Sequence, residues 1–399
     1  MQRAPGQAVA AETPEASLRA LRGFVSGDSL HDAGDRIPCG ILDSMASPHR
    51  VLFLNALIVG LAAAAWGFGC SGDTTTPGLL LPAPGIVNLW GTEGSAPGAM
   101  RSPWGLEVTR DHILVADTFN DRVQIFTHDG TLLDVWGESG IDPGRLNHPK
   151  DVAVSGGGSV YVLDSDNHRV QVFTSSGDFL HEFGGHGSEP GRLQGPTGLA
   201  IGPQGRVYVA DYGNGRVQVF GADGSLLAVW PGLGPGESDT YHPSNLAVGP
   251  TGDVFVVDTF HLRIVRYTSD GEFVMDWGGG AGGHGEHSEG HGGTRVATPA
   301  ARISLHDAPP EAVLDVPGGI AVDSLGRVYV TEEAHHHGVK VFTSDGEPIA
   351  EWGRDGTHAG VLFNPLSVGV APSGDIYVLD TGNHRVVRFA PLDAEAANP

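Results

Sequence analysis

Lysine occurs only twice in this 399-residue chain, at Lys150 and Lys340. Lys and Arg together number 23 against 47 Asp and Glu, a formal net charge of −24. A surface that tracks phosphates needs clustered basic side chains, so nucleic acid is excluded as the expected partner. Cysteine is equally scarce, with only Cys39 and Cys70, which is too few for a disulfide framework. Glycine, proline and histidine are plentiful instead, at 61, 27 and 19. That balance suits an all-β chain with many tight turns.

The N-terminal part reads as a targeting segment. Arg50 precedes an apolar run from Val51 to Ala65, followed by small residues and Cys70. This is the layout of an export signal. Gly69-Cys70 resembles the end of a bacterial lipobox, which implies lipidation at Cys70. The alternative is an uncleaved anchor, since residues 51–69 are just long enough to span a bilayer. Met45 lies six residues before the apolar run. The expected organisation is therefore a mis-assigned upstream start over 1–44, a signal over 45–69, and a tether over 70–82. The exported protein would be lipid-anchored at the bacterial cell envelope.

From Ile86 onward the chain repeats. The stretch 195–230, "GPTGLAIGPQGRVYVADYGNGRVQVFGADGSLLAVW", holds four short alternating runs separated by turn signals. Four antiparallel strands per unit make one blade of a β-propeller. The Asp closing the second strand recurs at Asp117, Asp164, Asp211 and Asp258, each 47 residues on. Glu332 fills the slot in the fifth copy and Asp380 in the sixth, with 27 extra residues before Glu332. The sixth copy has only three strands. "IVNLWG" over 86–91 matches the fourth strands elsewhere, so it is expected to close the ring as the outer strand of the last blade. The fold expected is an all-β, six-bladed β-propeller over 83–390, with a Gly/His-rich insertion at 279–312 between blades 4 and 5, and a tail over 391–399. "DSDNHRVQVF" (164–173) and "DTGNHRVVRF" (380–389) resemble NHL repeats. The resemblance implies this fold across 86–390 and leaves function open, because the fold hosts many functions.

Most recurring residues have structural roles in this reading. The aromatics that end fourth strands, such as Trp90 and Trp136, should fill spaces between blades. The Asp/Arg couples, such as Asp117/Arg122, should brace hairpin turns. Function is sought where the repeat breaks. Trp104 follows the blade-opening Pro103 and has no counterpart in other blades. It is expected at the channel mouth with Lys150, Asp151 and Asn245, either contacting a small polar or sugar-like ligand or plugging the channel. The insertion carries His284, His287 and His291, and the fifth blade carries His335, His336 and His337 in place of the usual turn. Such imidazoles could hold a divalent transition metal, or be incidental to a solvated loop; otherwise no cofactor is expected. The peptidyl-hydroxyglycine amidating lyases are similar to this fold, and that resemblance implies zinc-binding His directly after blade-opening prolines. Here those slots read Trp104, Lys150, Thr197, Ser244, Gly318 and Leu366. The function expected is binding of a protein, peptide or glycan through the loop face, with a metal-dependent lyase or hydrolase as the alternative.

Overall fold

Short runs of β-branched and aromatic residues, punctuated by Gly and Asp turns, pair into hairpins, and the hairpins pair into blades. The computed structural model describes residues 80–231, 242–279, 313–333, 337–353 and 361–392. These fall in one unit, 76–399, and form six four-stranded antiparallel sheets. Blade 1 runs Gly105–Val108, Ile113–Asp117, Arg122–Phe126 and Leu132–Trp136. Blades 2 to 5 repeat the pattern, opening at Pro149, Gly198, Pro243 and Pro317. The innermost strands neighbour one another in cyclic order around a central channel.

Blade 6 is built from both ends of the described chain. Pro365–Val370, Ile376–Asp380 and Arg385–Phe389 supply three strands, and Ile86–Trp90 pairs antiparallel with Arg385–Phe389 as the fourth. The expected closure is present. The packed region extends slightly beyond 83–390. Leu81 is buried against blade 5, its N–H donating to Ile349 O, and Leu392 is buried in the same cluster.

Five of the six outer-strand aromatics, all but Trp352, lie on the next blade at a turn glycine. Gly130 has φ +85°, and a Cβ there would fall 2.5 Å from the Trp90 ring. Gly177 receives Trp136 and Gly271 receives Trp230 in the same way. The glycine is therefore needed twice, for the left-handed turn and for the close approach of an indole. The second strands are buried throughout, and the outer strands are half exposed. The core is thus a ring of inter-blade clusters.

Candidate functional site: loop face and central channel

The turns between second and third strands share one face with the segments that precede the blade-opening prolines. Backbone bonds tie them together: Phe119 N–H to Arg101 O, Asp166 N–H to Asn147 O, Gly213 N–H to Gln194 O and Gly382 N–H to Phe363 O. The recurring Asp organises this joint. Asp164 is fully buried; its Oδ2 accepts from Arg169 Nε at 2.7 Å, Asn167 Nδ2 at 2.9 Å and Gln171 Nε2 at 2.9 Å. Its Oδ1 accepts the Asn147 N–H at 2.7 Å. A carboxylate with this many donors is braced, and has no free acceptor for substrate chemistry.

The middle residue of the Asn-His-Arg type turn has its own role. Asp121, His168 and His384 adopt left-handed backbone at φ 52–55°. Their side chains accept the N–H of the residue before the next blade's proline: His148, Gly195 and Ser102 respectively. His337 does the same, its Nδ1 accepting the Asn364 N–H at 3.2 Å. One expected metal ligand is thus a blade-joint residue in the described structure. His284, His287, His291, His335, His336 and Cys70 lie outside the described residues. Among the described residues, no group of three or more His, Cys, Asp or Glu is placed to hold a metal ion.

Trp104 and Lys150 do meet. Both are half-buried, and Lys150 Nζ sits 4.5 Å from the Trp104 ring centroid. Burial pushes the Lys150 ammonium below its ordinary range, with Asp166 opposing. Asp151 and Asn245 lie one residue further along their strands and line a channel cavity of about 240 Å³. Their position alternates around the ring: Gly105, Asp151, Gly198, Asn245, Gly319 and Ser367. The glycines make this possible, because a Cβ on Gly105 would lie 2.6 Å from Asp151 Cα, and one on Gly198 2.7 Å from Asn245 Cα. Asp151 is 8% exposed and bridges blades, its Oδ2 accepting the Leu199 N–H at 2.8 Å.

Glu107 was not visible as a candidate in the sequence. It lines the same cavity two residues further in, where the other blades carry Ala153, Ala200, Ala247, Ala321 and Gly369. Comparing that position blade by blade would have singled it out. Burial raises the Glu107 carboxyl to about 8, against a bond from the Val154 N–H, with the Asp151 charge adding to the rise. Burial raises Asp151 to about 7, offset by the Leu199 and Val152 N–H groups. Glu333, packed over Gly318 of blade 5, is raised to about 7 by burial alone. Three carboxyls therefore titrate around neutrality at this end of the ring, a property of burial that no motif announces.

The outer rim of the face is aromatic. Phe119, Tyr212, Phe260 and Phe363 are each more than a third exposed. Each lies beside an imidazole: Phe119 and His148 at 4.9 Å, Tyr212 and His242 at 5.0 Å, Phe260 and His242 at 5.5 Å, Phe363 and His337 at 5.1 Å. These groups occupy the junctions of blades 1 and 2, 3 and 4, and 5 and 6. The other large exposed apolar residues described are aliphatic.

Four stretches, 146–173, 193–220, 314–342 and 364–389, match the NHL repeat. The chain is similar to Protein wech of Drosophila melanogaster, 31% identical over 139 residues, covering 30% of this chain and 16% of that protein. Two solved structures share the fold. One is a protein of unknown function from Bacteroides thetaiotaomicron, with TM-score 0.56, 17% identity, and coverage of 77% of this chain and 76% of that one. The other is described as a gluconolactonase from Xanthomonas campestris, with TM-score 0.52, 16% identity, and coverage of 81% and 100%. At such identities the likeness extends to the fold alone. Repeat match, strand order and closure agree: the chain carries NHL repeats on a six-bladed β-propeller.

Proposed function

We propose that this chain is an exported propeller, held at the cell envelope through Cys70, that binds a polypeptide partner with its loop face. The observation that carries the reading is the rim of aromatic and imidazole groups at alternate blade junctions. Exposed aromatics are costly to leave in water and are the side chains that anchor interfaces. Three such groups, a third of a turn apart, suit a chain that lays successive side chains across them. The Trp104–Lys150 pair at the centre adds a cation and a flat ring. The export-signal layout of residues 45–69, followed by Cys70, is what supports the location.

A displayed random-peptide library, selected against the full propeller, tests the proposal. Enriched peptides should bind the wild type and lose at least tenfold in affinity against a Phe119→Ala, Tyr212→Ala, Phe260→Ala variant. That variant should melt within a few degrees of the wild type, because half-exposed rings bury little core area. No enrichment from peptides together with binding to a glycan array would overturn the polypeptide reading. Peptides indifferent to the triple variant would overturn the face.

A further inference from the structure

We propose that the central channel is a second site, distinct from the loop-face rim, that takes a compact organic cation carrying a primary ammonium group between Glu107 and Asp151. The first ground is room. The cavity measures about 240 Å³, and the Ala and Gly residues level with Glu107 leave its side chain as the one large group there. Glu107 is half-buried at the channel wall, and a carboxyl set among alanines there is costly to desolvate unless something compensates it.

The second ground is that Glu107 is undercompensated. Its Oε1 accepts one long bond, 3.3 Å from the Val154 N–H. No other hydrogen bond reaches its carboxyl among the described residues, and no cation pairs with it. Asp151 is better held, by the Val152 and Leu199 N–H groups at 2.9 and 2.8 Å. It adds charge beside Glu107 more than it adds an empty acceptor.

The third ground is the acceptor pattern. Alternating glycines put Asp151, Asn245 and Ser367 on blades 2, 4 and 6, around the channel axis. Asn245 Oδ1 holds the Leu246 N–H and Ser367 Oγ holds the Leu106 N–H, each with lone-pair capacity to spare. A divalent metal would ask for several carboxylate or imidazole ligands, and no such group is placed among the described residues. Lys150 shows that this end of the ring already accommodates one ammonium against Trp104. The net charge of −24 draws cations toward the molecule.

The carboxyl properties supply a distinctive readout. Both groups are raised by burial, so each is partly protonated near neutrality. A bound ammonium favours their charged forms, and binding must therefore release protons. Titration calorimetry of the full propeller with 1,4-diaminobutane at pH 7, in two buffers of different ionisation heat, is the test. The expected result is saturable binding with proton release. Affinity should fall at least tenfold in Glu107→Gln, and 1,4-butanediol should not bind. Glu107→Gln should keep the wild-type melting temperature at pH 5, which separates lost binding from misfolding. Equal binding of the diol, unchanged affinity in Glu107→Gln, or absence of binding at millimolar amine would each overturn the proposal. So would Ca²⁺ or Zn²⁺ alone binding in a Glu107-dependent manner when the amine does not. Peptide binding at the rim can survive all of these outcomes.

Discussion

Blades 1 to 3 and blades 4 to 5 solve one problem with different parts. In blades 1 to 3 a buried Asp gathers Asn, Arg and Gln donors: Asn120, Arg122 and Gln124 around Asp117, with equivalents around Asp164 and Asp211. In blade 4 the Gln position is Val265 and the Asn position His261, which meets Asp258 Oδ2 at 2.7 Å. Among the described residues, the buried Asp258 Oδ1 has no hydrogen-bond partner. Blade 5 goes further. Glu332 replaces Asp, Gly338 faces it where Arg would stand, and Lys340 occupies the Gln position. Lys340 is 3% exposed, reaches Glu332 Oε2 at 3.4 Å and donates to Val313 O. The cation has moved along the strand, yet the charge at the joint is still matched. The position demands a satisfied carboxylate, and identity is free as long as the donors arrive.

Blade 6 is the extreme case, because one strand comes from the opposite end of the chain. A chain beginning at Ser102 should lose the Trp90 contact and expose the Arg385–Phe389 edge. Loss of the partly buried Trp90 and its strand should cost about 4 kcal/mol or more and drop the melting point by roughly 10 °C. Equal melting and monomeric behaviour to a chain beginning at Pro82 would contradict the closure. Within the regular blades, Asp164→Ala removes the buried acceptor shared by Arg169, Asn167 and Gln171 and should cost about 3–5 kcal/mol in denaturant titrations. The same change at Asp258 should cost clearly less, since its Oδ1 holds no donor among the described residues. Equal losses would show that the comparison between the blades has no energetic content.

The lysine-for-glutamine exchange sharpens the point. Lys340→Met leaves Glu332 as an uncompensated buried charge and should cost about 3–5 kcal/mol. Gln171→Met at the equivalent position of blade 2 removes a neutral amide that donates to Asp164 and Arg145 O and accepts from the Gly144 N–H, and should cost about 1–3 kcal/mol. The pH dependence follows from the channel. Glu107 and Asp151 have folded pKa values of about 8 and about 7, above those of ordinary carboxylates. Their stabilising contribution is complete below about pH 4 and is lost as pH rises through 7 to 8. Thermal melts should therefore fall between pH 5 and 8, and Glu107→Gln should flatten the upper part of that fall. A flat wild-type profile would refute the burial argument. The smallest effect is expected at Trp104. It is half-buried with Lys150 over its ring, so Trp104→Ala should cost about 1–2 kcal/mol, below the 3–5 kcal/mol typical of a core Trp. A full core-sized loss would make it a channel plug.

The repeat, the blade number and the ring closure could all be read from the chain. A 47-residue period and a 13-residue spacing from Trp90 to Pro103 are one-dimensional facts. Each blade is a local meander whose pairing needs only neighbouring residues. The pairing of Trp104 with Lys150 was within reach for the same reason, since both follow blade-opening prolines. Glu107 shows only when the blades are compared position by position, because its significance lies in five small residues on five other strands, 46 or more positions away. The rim was out of reach: Phe119, His148, Tyr212, His242 and Phe363 look unrelated until adjacent blades bring turn and loop together. The left-handed His residues were read as a motif, and only the ring showed them holding the next blade's N–H. Local order is set by patterning along the chain, and the sequence alone determined it. Burial, and with it charge state and the company each side chain keeps, arises only when six blades close around an axis, so that part was decided by the tertiary structure.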